Sequence, residues 1–209
     1  MKTSIKHYSV IILLLCFVNL GFSQIETAKW KALIALGVNS PSQGGFVDGF
    51  AGKSVNFPTI NLGIQRMFTE QYGAKIDLGY NRFSGNNNFF ANKINYTRIN
   101  AQFVYDATPI ATFLPVMMGL VGHIGPGYSI IKPLGDFKEN KTSFLNAMAG
   151  VEAHYRIART VSAFADVSYI YGFGGSFNPV TEGIGSFNGN LLTVTVGVSI
   201  SLSGCVTCN

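Results

Sequence analysis

The chain has 209 residues, of which 12% are charged, 47% are hydrophobic and 24 are glycine; an ordinary soluble domain carries about 25% charged residues and about 7% glycine. This composition excludes an average cytosolic enzyme. The 15 basic residues exceed the 10 acidic ones only mildly, and they form no basic cluster, so we expect no nucleic-acid partner. Gly, Pro, Asn and Thr interrupt the apolar residues throughout, which favours membrane-embedded strands over membrane helices in one domain.

Residues 1–23 are predicted to form a signal peptide. They contain two lysines, an apolar core and then small residues at the spacing that a signal peptidase recognises, which predicts cleavage before Gln24. A retained anchor is an alternative, but the apolar core is too short to span about 30 Å. A lipoprotein site at Cys16 is another, but Leu15 occupies a position where that motif requires a small residue.

After the predicted cleavage site, period-2 alternation of apolar and polar residues recurs, with turn signals between the runs. This pattern is typical of β-strands. Most runs have about ten residues or slightly more, the length of a tilted strand that crosses a bilayer. We count eight runs: Trp30 to Asn39, Thr59 to Phe68, Tyr72 to Phe83, Asn95 to Asp106, Phe113 to Tyr128, Ser143 to Arg156, Val161 to Phe173, and Leu191 to Leu202.

The connections between these runs alternate in length. Four are long and three are short, the shorter ones being TEQ, ATPIAT and IART. This alternation is typical of an up-and-down barrel with long outer loops and tight periplasmic turns. The sequence therefore predicts an all-β fold, an eight-stranded antiparallel transmembrane β-barrel.

The composition of the two strand faces favours a membrane barrel over a soluble one. In the last run, one face is uncharged and consists of Thr193, Thr195, Gly197, Ser199 and Ser201. A soluble barrel would place Lys and Glu on its solvent face, whereas a narrow lumen needs small polar residues. We therefore expect the opposite, apolar face to contact lipid.

One stretch admits a different interpretation. Ile110 to Ile131 contains no formal charge and could be taken for a transmembrane helix. Two prolines and four glycines within it would destabilise such a helix. We therefore predict a fifth strand here.

The predicted signal peptide, the eight amphipathic strands and the alternating loops resemble the small outer-membrane barrel domain of the OmpA-like superfamily, in the version common in Bacteroidetes. The resemblance covers residues 24–203 and implies localisation in the outer membrane of a Gram-negative bacterium, with both termini periplasmic. Barrels of this family are often followed by a peptidoglycan-binding domain, which we do not expect after Leu202. The final SGCVTCN also departs from the aromatic last residue that is usual in outer-membrane barrels.

Charged residues on the polar strand faces are predicted to point into the lumen. An eight-stranded lumen is barely wide enough for side chains, so buried charges must pair with one another. The resemblance implies that such a network plugs the lumen. The predicted network comprises Lys75, Asp77, Arg98, Glu152, Arg156 and Asp166.

We predict no catalytic residues, no metal site and no cofactor. A lipid-modifying barrel enzyme would need a His with Ser and an acid near the outer leaflet. His154 lies three residues before the IART turn, at the predicted periplasmic end, and His123 has no Ser close behind it in the sequence.

Cys205 and Cys208 form a CxxC motif in the predicted periplasmic tail, residues 204–209. A redox pair, half of a metal site and a simple disulfide are all possible chemistries for this spacing. A redox site needs a helix N-terminus to stabilise its thiolate, and only one residue follows Cys208. A disulfide, or a bridge to a partner, is the favoured interpretation.

These patterns predict a non-enzymatic outer-membrane protein with a structural or interaction role in envelope integrity, contact with a partner, or an outer-membrane complex. The expected partners are outer-membrane lipid and lipopolysaccharide, and a protein bound through the outer loops or the C-terminal tail. A narrow porin and a lipid-modifying enzyme are the alternatives. They would require a continuous water path through the lumen and a Ser/His pair near the loops, respectively.

Overall fold

Eight antiparallel strands form a closed barrel in the computed structural model, which describes residues 29–47, 50–85, 93–174 and 185–202. Each strand pairs with its neighbours in the chain, and β8 pairs with β1, so this sheet has no free edge. The strands are β1 (Lys29–Pro41), β2 (Asn56–Met67), β3 (Tyr72–Ser84), β4 (Lys93–Asp106), β5 (Met118–Pro133), β6 (Thr142–Arg156), β7 (Val161–Gly172) and β8 (Leu191–Ser201).

This architecture confirms the predicted fold class, and seven strands begin and end within three residues of their predicted bounds. The fifth strand differs at both ends, because it runs from Met118 to Pro133 rather than from Phe113 to Tyr128. Residues 107–117 form a series of turns instead, in which the Met118 N–H donates to the Pro115 carbonyl. The N–H groups of Ala111 and Leu114 also donate to carbonyls three or four residues earlier rather than to a neighbouring strand, so the connection before β5 is longer than predicted.

The stretch that could have been a membrane helix consists of these turns and of β5. Within the described ranges, no helix has the length and apolar character needed to cross a membrane.

Period-2 alternation separates the two faces of the sheet as predicted. On β8, Leu192, Val194 and Val196 are exposed on the outside of the barrel, whereas Thr193 and Thr195 are buried inside it. Most strands show the same alternation of buried and exposed residues. The outside is therefore an apolar surface, and polar side chains fill the lumen.

The barrel has two distinct ends. The strand ends that are joined by residues 42–55, 85–92, 134–141 and 173–190 lie at one end, which we call the long-loop end. Residues 68–71, 107–117 and 157–160 connect strands at the other end, where β1 begins and β8 ends. We call this second end the termini end. The predicted alternation is wrong at residues 107–117, which form a longer connection than residues 85–92 or 134–141.

Apolar side chains close the lumen towards both ends. At the long-loop end, Phe187 from the last connection packs with inward-facing residues of β3 to β8, which are Phe83, Ile94, Tyr96, Ile131, Phe144, Met148, Ile170 and Leu191. Two smaller clusters lie towards the termini end. One cluster consists of Leu33, Ala35 and Phe164. The other consists of Met67, Val104 and Val121. The charged residues lie between these apolar layers.

Candidate functional site

The central layer of the lumen contains the buried charged residues. Along each strand, alternate side chains point into the lumen, and these residues occupy such inward-facing positions. We call this property inward parity, and it explains why the alternation in the sequence places these residues inside the barrel. Five of the six predicted network residues are at most 5% exposed: Lys75, Asp77, Arg98, Glu152 and Asp166.

Arg98 on β4 bonds to residues of its own strand, of the neighbouring β3 and of β2 beyond it. Its Nη1 donates to Asp77 Oδ2 and, at 3.1 Å, to Asn100 Oδ1. Its Nη2 donates to Asn61 Oδ1 on β2 at 3.0 Å. The guanidinium group is thus held by one carboxylate and two amides, and its charge is compensated inside the barrel.

This arrangement requires a glycine on β3. Gly79 lies directly opposite Arg98 in the register of β3 and β4. A Cβ atom at Gly79 would lie 2.6 Å from the Arg98 Cζ atom, closer than non-bonded carbon atoms approach. The missing side chain therefore creates the space that the guanidinium group occupies.

Lys75 and Glu152 form an ion pair across the lumen. The Lys75 Nζ atom lies 2.6 Å from Glu152 Oε1, although β3 and β6 are not neighbours in the sheet. The second carboxylate oxygen, Oε2, lies 2.7 Å from His154 Nε2. Both oxygens of Glu152 are therefore satisfied.

His123 joins the same layer and was not among the residues predicted for it. Its Nε2 atom lies 3.1 Å from Asp166 Oδ2 and 3.8 Å from Glu152 Oε1. His123 has the inward parity of β5, between the buried Val121 and the outward Ile124. This position in the strand already predicts that His123 points inward, although the sequence pattern raised His123 only as a possible catalytic residue.

Ser168 brings a hydroxyl to His123 and Asp166, which raises the question of a catalytic triad. The Ser168 hydroxyl donates to Asp166 Oδ1, and its Oγ lies 3.5 Å from His123 Nε2. In a Ser-His-Asp triad the two ring nitrogens face the serine and the acid separately. Here the same nitrogen faces both, and His123 Nδ1 has no hydrogen-bond partner among the described residues.

These residues also lack space for a substrate. Ser168 is 1% exposed, and apolar layers lie above and below the cluster. The cavity between Lys75, Asp77, Glu152 and Asp166 has a volume of about 10 Å³, about the space that one water molecule needs. The arrangement therefore stabilises buried charges, and it offers no room for a reaction.

Three of these side chains could in principle bind a metal ion. His123, Glu152 and Asp166 each offer one ligand atom, and these atoms lie within 4.8 Å of one another. However, the Lys75 ammonium group already contacts Glu152 at 2.6 Å. A divalent cation here would be repelled by that charge and would compete with it for the same carboxylate.

The structure corrects one member of the predicted network. Arg156 is the last residue of β6 and is exposed at the termini end, and no ion pair within the described part of the chain includes it. Inward parity does not bury a side chain at the rim of a barrel, because the lumen opens to solvent there. Cys205 and Cys208 lie outside the described residues.

The fold is that of known outer-membrane β-barrels. The chain superimposes on a major outer membrane protein from Thermus thermophilus with a TM-score of 0.58 at 10% identity, covering 84% of this chain and 99% of that one. OprG from Pseudomonas aeruginosa gives a TM-score of 0.53 at 11% identity, with 85% of this chain and 98% of that one covered.

Ail, the attachment invasion locus protein of Yersinia pestis, gives a TM-score of 0.52 at 13% identity, with 84% of this chain and 99% of that one covered. That structure is a complex with the heparin analogue sucrose octasulfate. No protein-family model matches the chain, and no curated protein matches its sequence. At these identities the likeness establishes the fold alone.

Proposed function

We propose that the chain is a non-enzymatic β-barrel of the Gram-negative outer membrane, with a structural or interaction role. One observation carries this proposal: the closed barrel is apolar on its outside and filled with paired charges and apolar layers on its inside. Such an apolar surface requires lipid around it. Such a filled lumen leaves no continuous path for water or ions.

The proposal includes the two ends of the chain. Residues 1–23 are the signal peptide, residues 24–203 form the barrel domain, and residues 204–209 are a periplasmic tail in which Cys205 and Cys208 form a disulfide. With an even number of strands, both termini lie on the same side of the membrane. In outer-membrane barrels this is the periplasmic side, and the longer loops face outwards. The long-loop end would then contact surface partners, with no cofactor bound.

The filled lumen supports this role over that of a narrow porin. A porin needs a continuous water path, whereas here Arg98, Glu152 and Tyr96 are each at most 1% exposed. We expect the folded protein to produce no regular single-channel conductance steps when it is inserted into planar lipid bilayers. Steady steps that scale with salt concentration would replace this proposal with that of a narrow porin.

The geometry at Ser168 supports a non-enzymatic role. A serine hydrolase of lipids needs its nucleophile within reach of the membrane surface, but this hydroxyl is buried and is bonded directly to Asp166. We expect Ser168→Ala to leave membrane lipid composition unchanged in cells that express it. A difference in acyl chains between the wild type and this variant would contradict the proposal.

A further inference from the structure

The outward-facing strand positions carry few charges. Four of the described strand residues whose side chains point away from the lumen are charged, and all four are basic. They are Arg66, Arg82, Lys93 and Lys132. Arg66 lies at the termini end, 5.4 Å from the centroid of the Trp30 ring. The other three lie at the long-loop end, and we call Arg82, Lys93 and Lys132 the basic patch.

The register of the sheet brings the basic patch together on three adjacent strands. Arg82 of β3 pairs with Asn95 of β4, and Asn95 pairs with Lys132 of β5. Because neighbouring strands lie about 4.8 Å apart, the backbones of Arg82 and Lys132 are about 10 Å apart. Lys93 lies two residues from Asn95 on the same face, next to both.

Asn95 orients the patch. Its Oδ1 atom accepts hydrogen bonds from Arg82 Nε at 3.0 Å and from the Tyr80 hydroxyl at 2.9 Å. Only the ε nitrogen of Arg82 is used in this bond. Within the described residues, the terminal N–H groups of Arg82 have no hydrogen-bond partner and no ion pair includes a member of the basic patch, so these groups can donate to a ligand.

The patch lies where the apolar surface of the barrel ends. Towards the barrel centre, Tyr80 is the first outward-facing residue of β3 after Arg82. The next level consists of the exposed Leu78, Ile99 and Tyr128, which are opposite one another in the register. Aromatic residues mark the interface between hydrocarbon and head groups in outer-membrane barrels. The cations are thus at the depth of the lipid head groups, on the side that contacts lipid.

We infer that the basic patch binds the phosphate groups of a phosphorylated glycolipid, lipid A, in the outer leaflet. Arginine and lysine donate charge-assisted hydrogen bonds to phosphate oxygens, and three cations within about 10 Å can engage one head group. The connection that follows Lys132 carries the acids Asp136 and Glu139 together with the cations Lys138 and Lys141, so it adds no net negative charge. This inference rests on the proposed orientation, in which the long-loop end faces the outer leaflet.

The test uses the full mature chain, folded in a neutral detergent, with native mass spectrometry to measure bound lipid. The probes are lipid A with its phosphates, dephosphorylated lipid A and inorganic phosphate. We expect the wild type to bind phosphorylated lipid A. Replacing Arg82, Lys93 and Lys132 by Gln should weaken binding about fivefold per charge, or about a hundredfold in total.

Arg66→Gln is the matched control, because it removes an outward-facing basic residue at the termini end and should leave lipid A binding unchanged. Equal binding of lipid A to the wild type and to the triple variant would overturn the inference. Equal binding of dephosphorylated lipid A to the wild type would overturn it as well, and this measurement needs no variant to fold. Competition by equimolar inorganic phosphate would indicate a free-phosphate site instead.

The failure of this inference differs from the failure of the proposed function. A barrel that conducts ions and still binds phosphorylated lipid A would contradict only the proposal that the lumen is plugged. A barrel that shows no conductance but binds both forms of lipid A equally would contradict only the inference that the basic patch binds phosphate.

Discussion

Arg98 and Arg156 both have inward parity, but only Arg98 is surrounded by partners. Arg98 is 1% exposed and bonded to Asp77, Asn100 and Asn61. Arg156 lies exposed at the end of β6. The same residue type therefore has a structural role at one position and none that the structure reveals at the other.

We expect Arg98→Ala to lower the free energy of unfolding by about 3 to 5 kcal/mol, because it leaves the Asp77 carboxylate buried without its partner. Arg156→Ala should change it by less than about 0.5 kcal/mol, as is usual for an exposed residue. Urea unfolding of the barrel in lipid vesicles measures both values. A double-mutant cycle of Asp77→Ala and Arg98→Ala should be non-additive. A neutral Arg98→Ala that also changes conductance would indicate a solvated lumen.

Gly79 and Gly122 provide a second comparison between single residues. A Cβ atom at Gly79 would collide with the Arg98 side chain, whereas nothing lies within 4 Å of a Cβ atom at Gly122. We expect Gly79→Ala to cost about 1 to 3 kcal/mol of unfolding free energy through overpacking, and Gly122→Ala to be close to neutral. The same unfolding assay measures both, and equal effects of the two substitutions would contradict the observed packing of Arg98.

At the scale of the strands, pairing between neighbours and pairing across the lumen have different origins. Asp77 lies opposite Asn100 in the ladder of β3 and β4, two residues along the same face from Arg98, so the contact of Arg98 with Asp77 follows from register. Lys75 and Glu152 meet although their strands are separated by β4 and β5. Their ion pair requires the closed barrel, because only closure brings non-adjacent strands face to face.

The ends of the strands also determine the topology that a labelling experiment can test. Lys138 lies in a connection at the long-loop end, and Thr160 lies in a turn at the termini end. In a background without Cys205 and Cys208, a cysteine at position 138 should react with a membrane-impermeant maleimide on whole cells, and one at position 160 should not. Labelling at position 160 alone would show that the barrel has the opposite orientation in the membrane.

For the whole molecule, closure of the sheet is what allows a β-structure to exist in lipid. Every backbone polar group in a bilayer needs an internal partner, and a closed barrel provides one for each strand. Each strand from β1 to β7 pairs with the next one, and β8 pairs with β1. Unfolding should therefore be cooperative, since opening one seam exposes two edges.

We expect the mature protein to migrate on a gel at different positions before and after boiling, as a detergent-stable barrel does. Circular dichroism of the unboiled sample should show β-structure. Identical migration of boiled and unboiled samples, together with a helical spectrum, would contradict the fold.

The sequence by itself determined the number of strands, their approximate bounds and the two faces of the sheet. This was possible because side chains alternate with a period of two along a strand, so an apolar residue such as Val196 and a polar one such as Thr195 indicate their faces locally. The same reasoning placed five charged residues in the lumen. It failed at Phe113 because uncharged turn residues continue the apolar composition of the strand.

Only the tertiary structure decided which side chains meet. Period-2 alternation shows which residues point into the lumen. The position of each residue along the barrel axis depends on the stagger between strands and on closure of the barrel. His123 of β5 meets Asp166 and Ser168 of β7, although β5 and β7 are not adjacent strands, and no spacing in the sequence indicates this contact. Arg156 shares the inward parity yet lies at the rim. Depth along the barrel axis, which period-2 alternation does not encode, separates a buried charge from an exposed one.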